Sequence, residues 1–443
     1  MTANITKPVG NSPSCKTQGH NLVERNLKVA YIFHRFPRIS EAFMMREMYW
    51  IREQGVDVHI FSLLSPKSGL IHDQFKELLL CTHYGPFISW DVLKAQFHFL
   101  RRTPGRYLKA LGRAIWQTYR EPRVLLGILA IFPKSVYFAR QMQETEIEHI
   151  HAHFVWLGGI AAGVASDLID ITFSIQPHAF GLFGRNQRDV RCELENASQV
   201  VTISNYHRAY IDNLCPRIEQ DQIQVVYSGL EIDRFQPLSK PPGDGPVRIL
   251  SVGRLLEKKG YEYLIDACAL LAKRGVAFQC QIAGDGYLKD TLQARINQHG
   301  LQDEVILLGS LAQKQVLNLY QNSDIFALAC VIARDGDRDG IPGVLIEAMA
   351  CQVPVVTTPV AGIPDLVQHG ENGLFVEERN VPGLADALQR LILDENLRRQ
   401  MGEQARQTIV EGFQIQHNVA KLAAIFRKVS KQEKTSLDGT IAQ

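Results

Sequence analysis

The sequence predicts an α/β fold made of two consecutive doubly wound domains with parallel sheets, and three observations predict it. Its 443 residues exceed what one ordinary hydrophobic core organises, so two domains of roughly 200 residues are expected. Short apolar runs of strand length alternate with longer helical patterns along most of the chain. The stretch PLSKPPGDGP, residues 237–246, packs four prolines and two glycines into ten positions and reads as a linker between the two series.

Composition bounds the function. Lys and Arg number 48 against 46 Asp and Glu, a net charge of +2, so overall charge gives no reason to expect a nucleic-acid partner. The eight cysteines, at 15, 81, 192, 215, 268, 280, 330 and 351, never form C-x-x-C. They read as small buried hydrophobes in a reducing compartment, which argues against a disulfide framework or a zinc site. Residues 1–26 are polar, lack the apolar core of a signal peptide and read as a flexible leader, which leads us to expect a cytoplasmic location.

In chain order, LKVAYIF (27–33) is a buried parallel strand, Ser40 opens a helix through Gln54, Gly55 ends it, and VDVHIFSLL follows as the second strand. Ser40 and Glu41 stand near the carboxyl end of the first strand, where open α/β sheets bind ligands; an N-cap and a first-turn acid explain them equally well. Between Lys94 and Arg140, ten basic residues, among them Arg101, Arg102, Arg106 and Lys109, face the single acid Glu121, with aromatic and aliphatic residues interleaved. This pattern fits a solvated basic face over a buried helix, or a surface for anionic lipid; nucleic acid is the weakest reading. The apolar run 124–132, cut by Pro133 and Lys134, is too short to span a bilayer, which needs about 20 residues.

Alternation resumes with IEHIHAHF, the helix LGGIAAGVASDLI and the strand TFSIQPH. His151 and His153 share a strand face, but no third metal ligand is evident from spacing; His178 ends another strand, where hydrogen bonding to substrate is expected. QVVTIS, a helix from Asn205, and IQVVYSG complete the first domain, 27–236. The second, 247–412, starts with VRILSVGR, whose end delivers Gly253 and Arg254, followed by Lys258 and Lys259. FQCQIAGDG brings Gly284 and Gly286 to another strand end, and VILLG and DIFALAC are further strands. Then comes RDGIPGVLIEAMACQVP. Here Gly340, Pro342, Gly343 and Val344 mark a loop entering a helix, with Asp339 before it and Glu347 eight positions later. Helices run from Leu384 to about Arg427, so that a terminal helix and a frayed tail fill 413–443. Two cations, a Gly-Asp-Gly bend and a helix amino end converging on one sheet edge suit a diphosphate. Neither G-x-G-x-x-G after a first strand nor a G-x-x-x-x-G-K-[ST] loop is present, which weakens hydride-transfer and P-loop readings.

These segments, with SVGRLLEKKG, IAGDGYLKDTL, DGIPGVLIEAMACQVPVVTTPVAGIPDLV, ENGLFVE and GLEIDRFQP, resemble the retaining family 4 glycosyltransferases of the GT-B fold, and FPRISEAF resembles the start of their bacterial exopolysaccharide subgroup. The resemblance implies two Rossmann-like domains facing a cleft, with a C-terminal helix returning to the first. It implies that Arg254 and Lys259 hold the donor diphosphate, that Glu347 meets the ribose, and that Asp339, where the family usually has Glu, approaches the transferred sugar. It places His178 near donor sugar and acceptor, and Gly181 where the subgroup often has Asp. The co-substrate would be a UDP- or GDP-sugar and the acceptor a saccharide or polyprenyl-linked saccharide. Neither a metal nor a cofactor would be needed, and peripheral contact with the inner face of the plasma membrane would bring enzyme and acceptor together. Two other functions compete: a nucleotide-sugar epimerase of the same fold and a non-catalytic module on the membrane surface.

Overall fold

The computed structural model describes residues 26–38, 41–66, 73–238 and 245–440. The leader reading, Cys15, Ser40 and most of the 237–246 stretch therefore lie outside the described residues. The first sheet holds β1 (Leu27–Arg35), β2 (Val56–Leu64), β3 (Thr82–Tyr84), β4 (His149–His153), β5 (Phe173–Gln176), β6 (Gln199–Thr202) and β7 (Ile223–Val225). Its order is β3-β2-β1-β4-β5-β6-β7, and every pairing is parallel. Helices cover both faces, which is why Val29 to Phe33 form an unbroken buried run and not an alternating one. The three-residue β3 escapes sequence reading because THY carries no apolar run.

The predicted Ser40 to Gln54 helix is shorter. It is α1 (Ala42–Arg52), with Glu41 at the cap position but making no side-chain cap bond; Glu41 pairs with Arg38 at 2.9 Å instead. Three helices occupy the basic stretch: α2 (Trp90–Arg102), α3 (Pro104–Thr118) and α4 (Pro122–Glu144). The expected break at Pro133 does not occur, since α4 runs through it for 23 residues. A mid-helix proline costs about 3 kcal/mol, and eight buried apolar side chains of α4, from Val124 to Met142, outweigh it at roughly 1.5–3 kcal/mol for each fully buried large one. By length and composition α4 could cross a bilayer, yet half of that window is buried inside the domain. The domain is completed by α5 (Leu157–Ile169), α6 (Ala179–Phe183), α7 (Gln187–Glu195) and α8 (Asn205–Leu214).

A second parallel sheet comprises β8 (Val247–Val252), β9 (Phe278–Ala283), β10 (Val305–Gly309), β11 (Ile325–Leu328), β12 (Val355–Thr357) and β13 (Gly373–Phe375). Its order is β10-β9-β8-β11-β12-β13. Its helices are α9 (Tyr261–Lys273), α10 (Lys289–His299), α11 (Gln313–Asn322), α12 (Gly343–Ala350), α13 (Val381–Leu393) and α14 (Glu395–Gly412). Instead of a frayed tail, α15 (Ile415–Thr440) continues as helix and crosses back to the first domain. There Ile415, Val419, Leu422 and Phe426 share a core with Val29, Tyr31, Met44 and Met48. Both sheets reverse strand order once, at β1/β4 and at β8/β11, and such reversals open a crevice at the carboxyl ends of the strands.

Candidate active site

The second-domain crevice is built by backbone packing. Gly284 has φ +150° and a Cβ there would run into the Gly253 carbonyl, so only glycine lets the β8 and β9 loops close on each other. The Gly253 N–H donates to Ala283 O at 3.0 Å and the Leu255 N–H to Asp285 O at 2.9 Å, while Gly286 lies against the Leu255 backbone. These glycines shape the floor from which Arg254 projects. Its side chain is exposed and engages no hydrogen bond or ion pair among the described residues.

Lys258 and Lys259 follow on a short 3-10 turn and are buried. Lys259 Nζ stands 2.7 Å from Asp339, and Lys258 Nζ 3.2 Å from Asp339 and 2.9 Å from Asp337. Burial pushes the Asp339 carboxyl up, but Lys259 and Lys258 outweigh it and hold it below the ordinary aspartate range. Beyond Asp339, Pro342 caps α12 without a side-chain bond. A Cβ on Gly343 would meet nothing within 4 Å, so the first turn of α12 is sterically open. An amino end of this kind favours an anion. One turn into α12, Glu347 accepts from the Tyr320 O–H at 3.0 Å; burial raises its carboxyl, against Arg46 of α1 and Tyr320. Gly340 is placed differently from the sequence expectation: a Cβ there would press on His207 and Ile203 of the first domain at 2.7 and 2.9 Å. Beside it, Arg338 donates to the Tyr206 hydroxyl oxygen at 3.0 Å and lies 4.6 Å above the Phe183 ring. Gly340 and Arg338 thus join the domains.

The first-domain crevice is lined by histidines. His178, two residues past β5, is buried with its Nε2 3.2 Å from His153 Nδ1, flanked by Phe43 and Phe154 with ring centroids at 5.1 and 4.7 Å. Burial, then His153 and His207, hold it well below the usual histidine range, so it is neutral. At Gly181 a Cβ would crowd Val155 backbone atoms at 3.0–3.2 Å, so the aspartate common in the resembled subgroup needs a shift of that backbone.

Sequence reading missed Glu47. It lies one turn from Met44 and Ile51 on the buried face of α1, and a carboxylate on an apolar helix face is the signal that could have found it. Glu47, His151 and His153 each bring a ligand atom within 4.8 Å of the others, correcting the expectation that no third metal ligand lies near the histidines. A metal reading is nonetheless weak, because both nitrogens of His151 are engaged, by Ser174 at 2.7 Å and Gln176 at 3.3 Å.

Comparison with known proteins agrees with this architecture. The family profile described as glycosyl transferases group 1 matches residues 234–408, the half that carries Arg254, Lys259, Asp339 and Glu347. A putative colanic acid biosynthesis glycosyltransferase, WcaL of Escherichia coli K12, is 36% identical over 412 residues, 90% of this chain and 100% of the relative. Among solved structures, sucrose-phosphate synthase from Thermosynechococcus elongatus superposes with TM-score 0.69 at 19% identity, covering 91% of this chain and 98% of the other. HepE of Anabaena in complex with UDP superposes with TM-score 0.65 at 18% identity, covering 91% and 100%. Two parallel-sheet domains of the GT-B type, a matching family profile over the second of them and a full-length relative at this identity lead to one conclusion: the chain belongs to the group 1 glycosyl transferases.

Proposed function

We propose that this glycosyltransferase moves a sugar from a nucleotide diphosphate donor to a saccharide acceptor, lipid-linked and destined for exopolysaccharide, with retention of anomeric configuration. The observation that carries the reading is the uncommitted Arg254 beside Lys259 and the open amino end of α12, all at the β8/β11 reversal. That set matches the charge that develops on a departing diphosphate. As the C1–O bond breaks, its electron pair leaves with the phosphate oxygen. The acceptor oxygen bonds to C1 on the same face, and the acceptor proton passes to the leaving phosphate. Arg254 forks onto phosphate oxygens, Lys259 adds a point charge, Glu347 takes ribose hydroxyls, and Asp339 and His178 face the transferred sugar. No metal ligand is required in this scheme. The UDP in the HepE structure and the name of the colanic acid relative make UDP-sugars and cell-surface saccharides the first to test.

The test is a panel of UDP- and GDP-sugars scored by thermal shift, followed by turnover with EDTA present. Arg254→Ala or Lys259→Ala should lower turnover about 100-fold. Unchanged turnover in both rejects the diphosphate assignment, and complete EDTA loss restored by Mg²⁺ rejects the metal-free scheme. Release of free nucleotide only when an acceptor is supplied separates transfer from the epimerase reading.

Membrane docking is the companion proposal, favoured by one observation. Fifteen of the nineteen large apolar side chains left exposed among the described residues lie between Leu79 and Leu129. On α2, Trp90, Leu93, Phe97 and Leu100 recur at helical spacing on one exposed stripe, next to Arg101 and Arg102. Clustered exposed apolar side chains mark interaction surfaces, and a basic, aromatic cluster suits the anionic inner face of a plasma membrane.

A further inference from the structure

Deepening the role proposed above for His178, we propose that Glu47 and His153 are positioning residues that hold His178 in the tautomer with its proton on Nε2, leaving Nδ1 to accept a hydrogen bond from a sugar hydroxyl. Hydrogen-bond donation converges on Glu47 along a largely buried chain of side chains. The Tyr31 O–H donates to Glu47 Oε1 at 3.2 Å, so that oxygen acts as an acceptor. His153 Nε2 approaches the same oxygen at 3.3 Å, and His153 is 1% exposed. Nε2 completes no aligned hydrogen bond, but a bare lone pair 3.3 Å from a carboxylate oxygen is repulsive, so the proton of His153 belongs on Nε2. Its Nδ1 is then an acceptor. His178 Nε2 lies 3.2 Å from it and has to donate. With Nε2 committed as donor, the neutral ring presents a lone pair at Nδ1, which makes no hydrogen bond among the described residues.

Packing keeps the rings from turning over. His153 stacks on Phe33 and Tyr31 with centroids at 5.6 and 5.8 Å, and His178 is held edgewise between Phe43 and Phe154. The neighbouring His151 is tied separately to Ser174 and Gln176, so it does not compete for the His153 proton. A histidine whose remaining nitrogen accepts suits a donor hydroxyl and rejects a ligand oxygen without a proton, which is a specificity determinant.

The tautomer can be read directly by long-range ¹H–¹⁵N correlation on full-length protein with ¹⁵N-histidine, His178 being assigned by the signal lost in His178→Gln. The expected parent pattern is a proton on Nε2. In Glu47→Gln the amide can turn its NH₂ toward His153, so the pattern should mix or invert. Acceptor kcat/KM should fall about 10-fold, with UDP binding by thermal shift unchanged. His153→Asn, whose amide oxygen falls near the Nδ1 position, should keep the parent tautomer, whereas His153→Phe should lose it. A proton on Nδ1 of His178 in the parent, or the parent pattern persisting in both Glu47→Gln and His153→Phe, overturns the proposal. Absence of turnover with every nucleotide sugar would instead overturn the functional reading and leave the tautomer result standing.

Discussion

Asp339 sits between two ammonium groups, and a donor diphosphate would have to share them. Its carboxyl is held below the ordinary value of 3.8, so its contribution to stability is fully present above that pH and is lost as pH falls through the lower folded value. Asp339→Asn should abolish this acid limb of the stability curve. At neutral pH it should cost about 3 kcal/mol by leaving the buried Lys259 unpaired. The same variant should gain more from added UDP in a thermal-shift experiment than the parent does, because the anion then supplies the missing charge. An equal or smaller gain would mean that Lys259 does not face the nucleotide. Asp339 and Glu347 were legible because their spacing and the Gly-Pro-Gly entry are written in consecutive residues. Glu47 and the contact between His153 and His178 were not, because those partners are 106 and 25 positions apart; the first pair meets through the β1/β4 reversal and the second across the β4–β5 pairing.

At the scale of elements, composition exposed the basic stretch but not its partners. Arg106 pairs with Asp170 at 2.6 Å, Lys109 and Arg113 with Asp167 at 3.4 and 3.0 Å, and Lys134 is buried, donating to Leu63 O at 2.6 Å. Much of the apparent charge excess therefore serves to fasten α3 to α5 and α4 to β2. The side chains free to meet a membrane are Arg101, Arg102 and Arg123, which make no ion pair or side-chain hydrogen bond among the described residues, and the α2 stripe, where Trp90 and Phe97 are 78% and 71% exposed. In co-sedimentation with vesicles containing anionic lipid, Arg101→Ser, Arg102→Ser and Arg123→Ser together should weaken binding by about 1 kcal/mol per residue and remove most of its salt dependence. Trp90→Ser with Phe97→Ser should weaken it at every salt concentration. Arg106→Ser with Lys109→Ser should leave it nearly unchanged. Equal sedimentation of the triple arginine variant and the parent would reject the docking face. Helix α4 shows the same limit of sequence reading: a proline is a local signal, and the packing that overrides it is not.

Over the whole molecule, the succession of strands and helices was readable because each parallel strand is buried on both faces and so appears as an apolar run. What could not be read was how the halves meet. Arg338 on Tyr206 and Phe183, Asn205 N–H on Asp365 at 2.6 Å and α15 against α1 are all contacts between distant segments. Phe426 is fully buried, its ring 5.1 Å from His149 and 5.0 Å from His151. Phe426→Ala should therefore cost 3–5 kcal/mol in the unfolding step that reports on the first domain, with the second domain's step unmoved; a loss confined to the second domain would contradict the packing. This crossing also has a consequence for biosynthesis. Domains ordinarily fold in the order in which the ribosome makes them, but here the core beneath β1 and α1 lacks Ile415, Val419, Leu422 and Phe426 until both sheets have been translated. The first domain is thus made first and completed last, and the nascent chain carries an uncovered apolar face through the synthesis of the entire second domain.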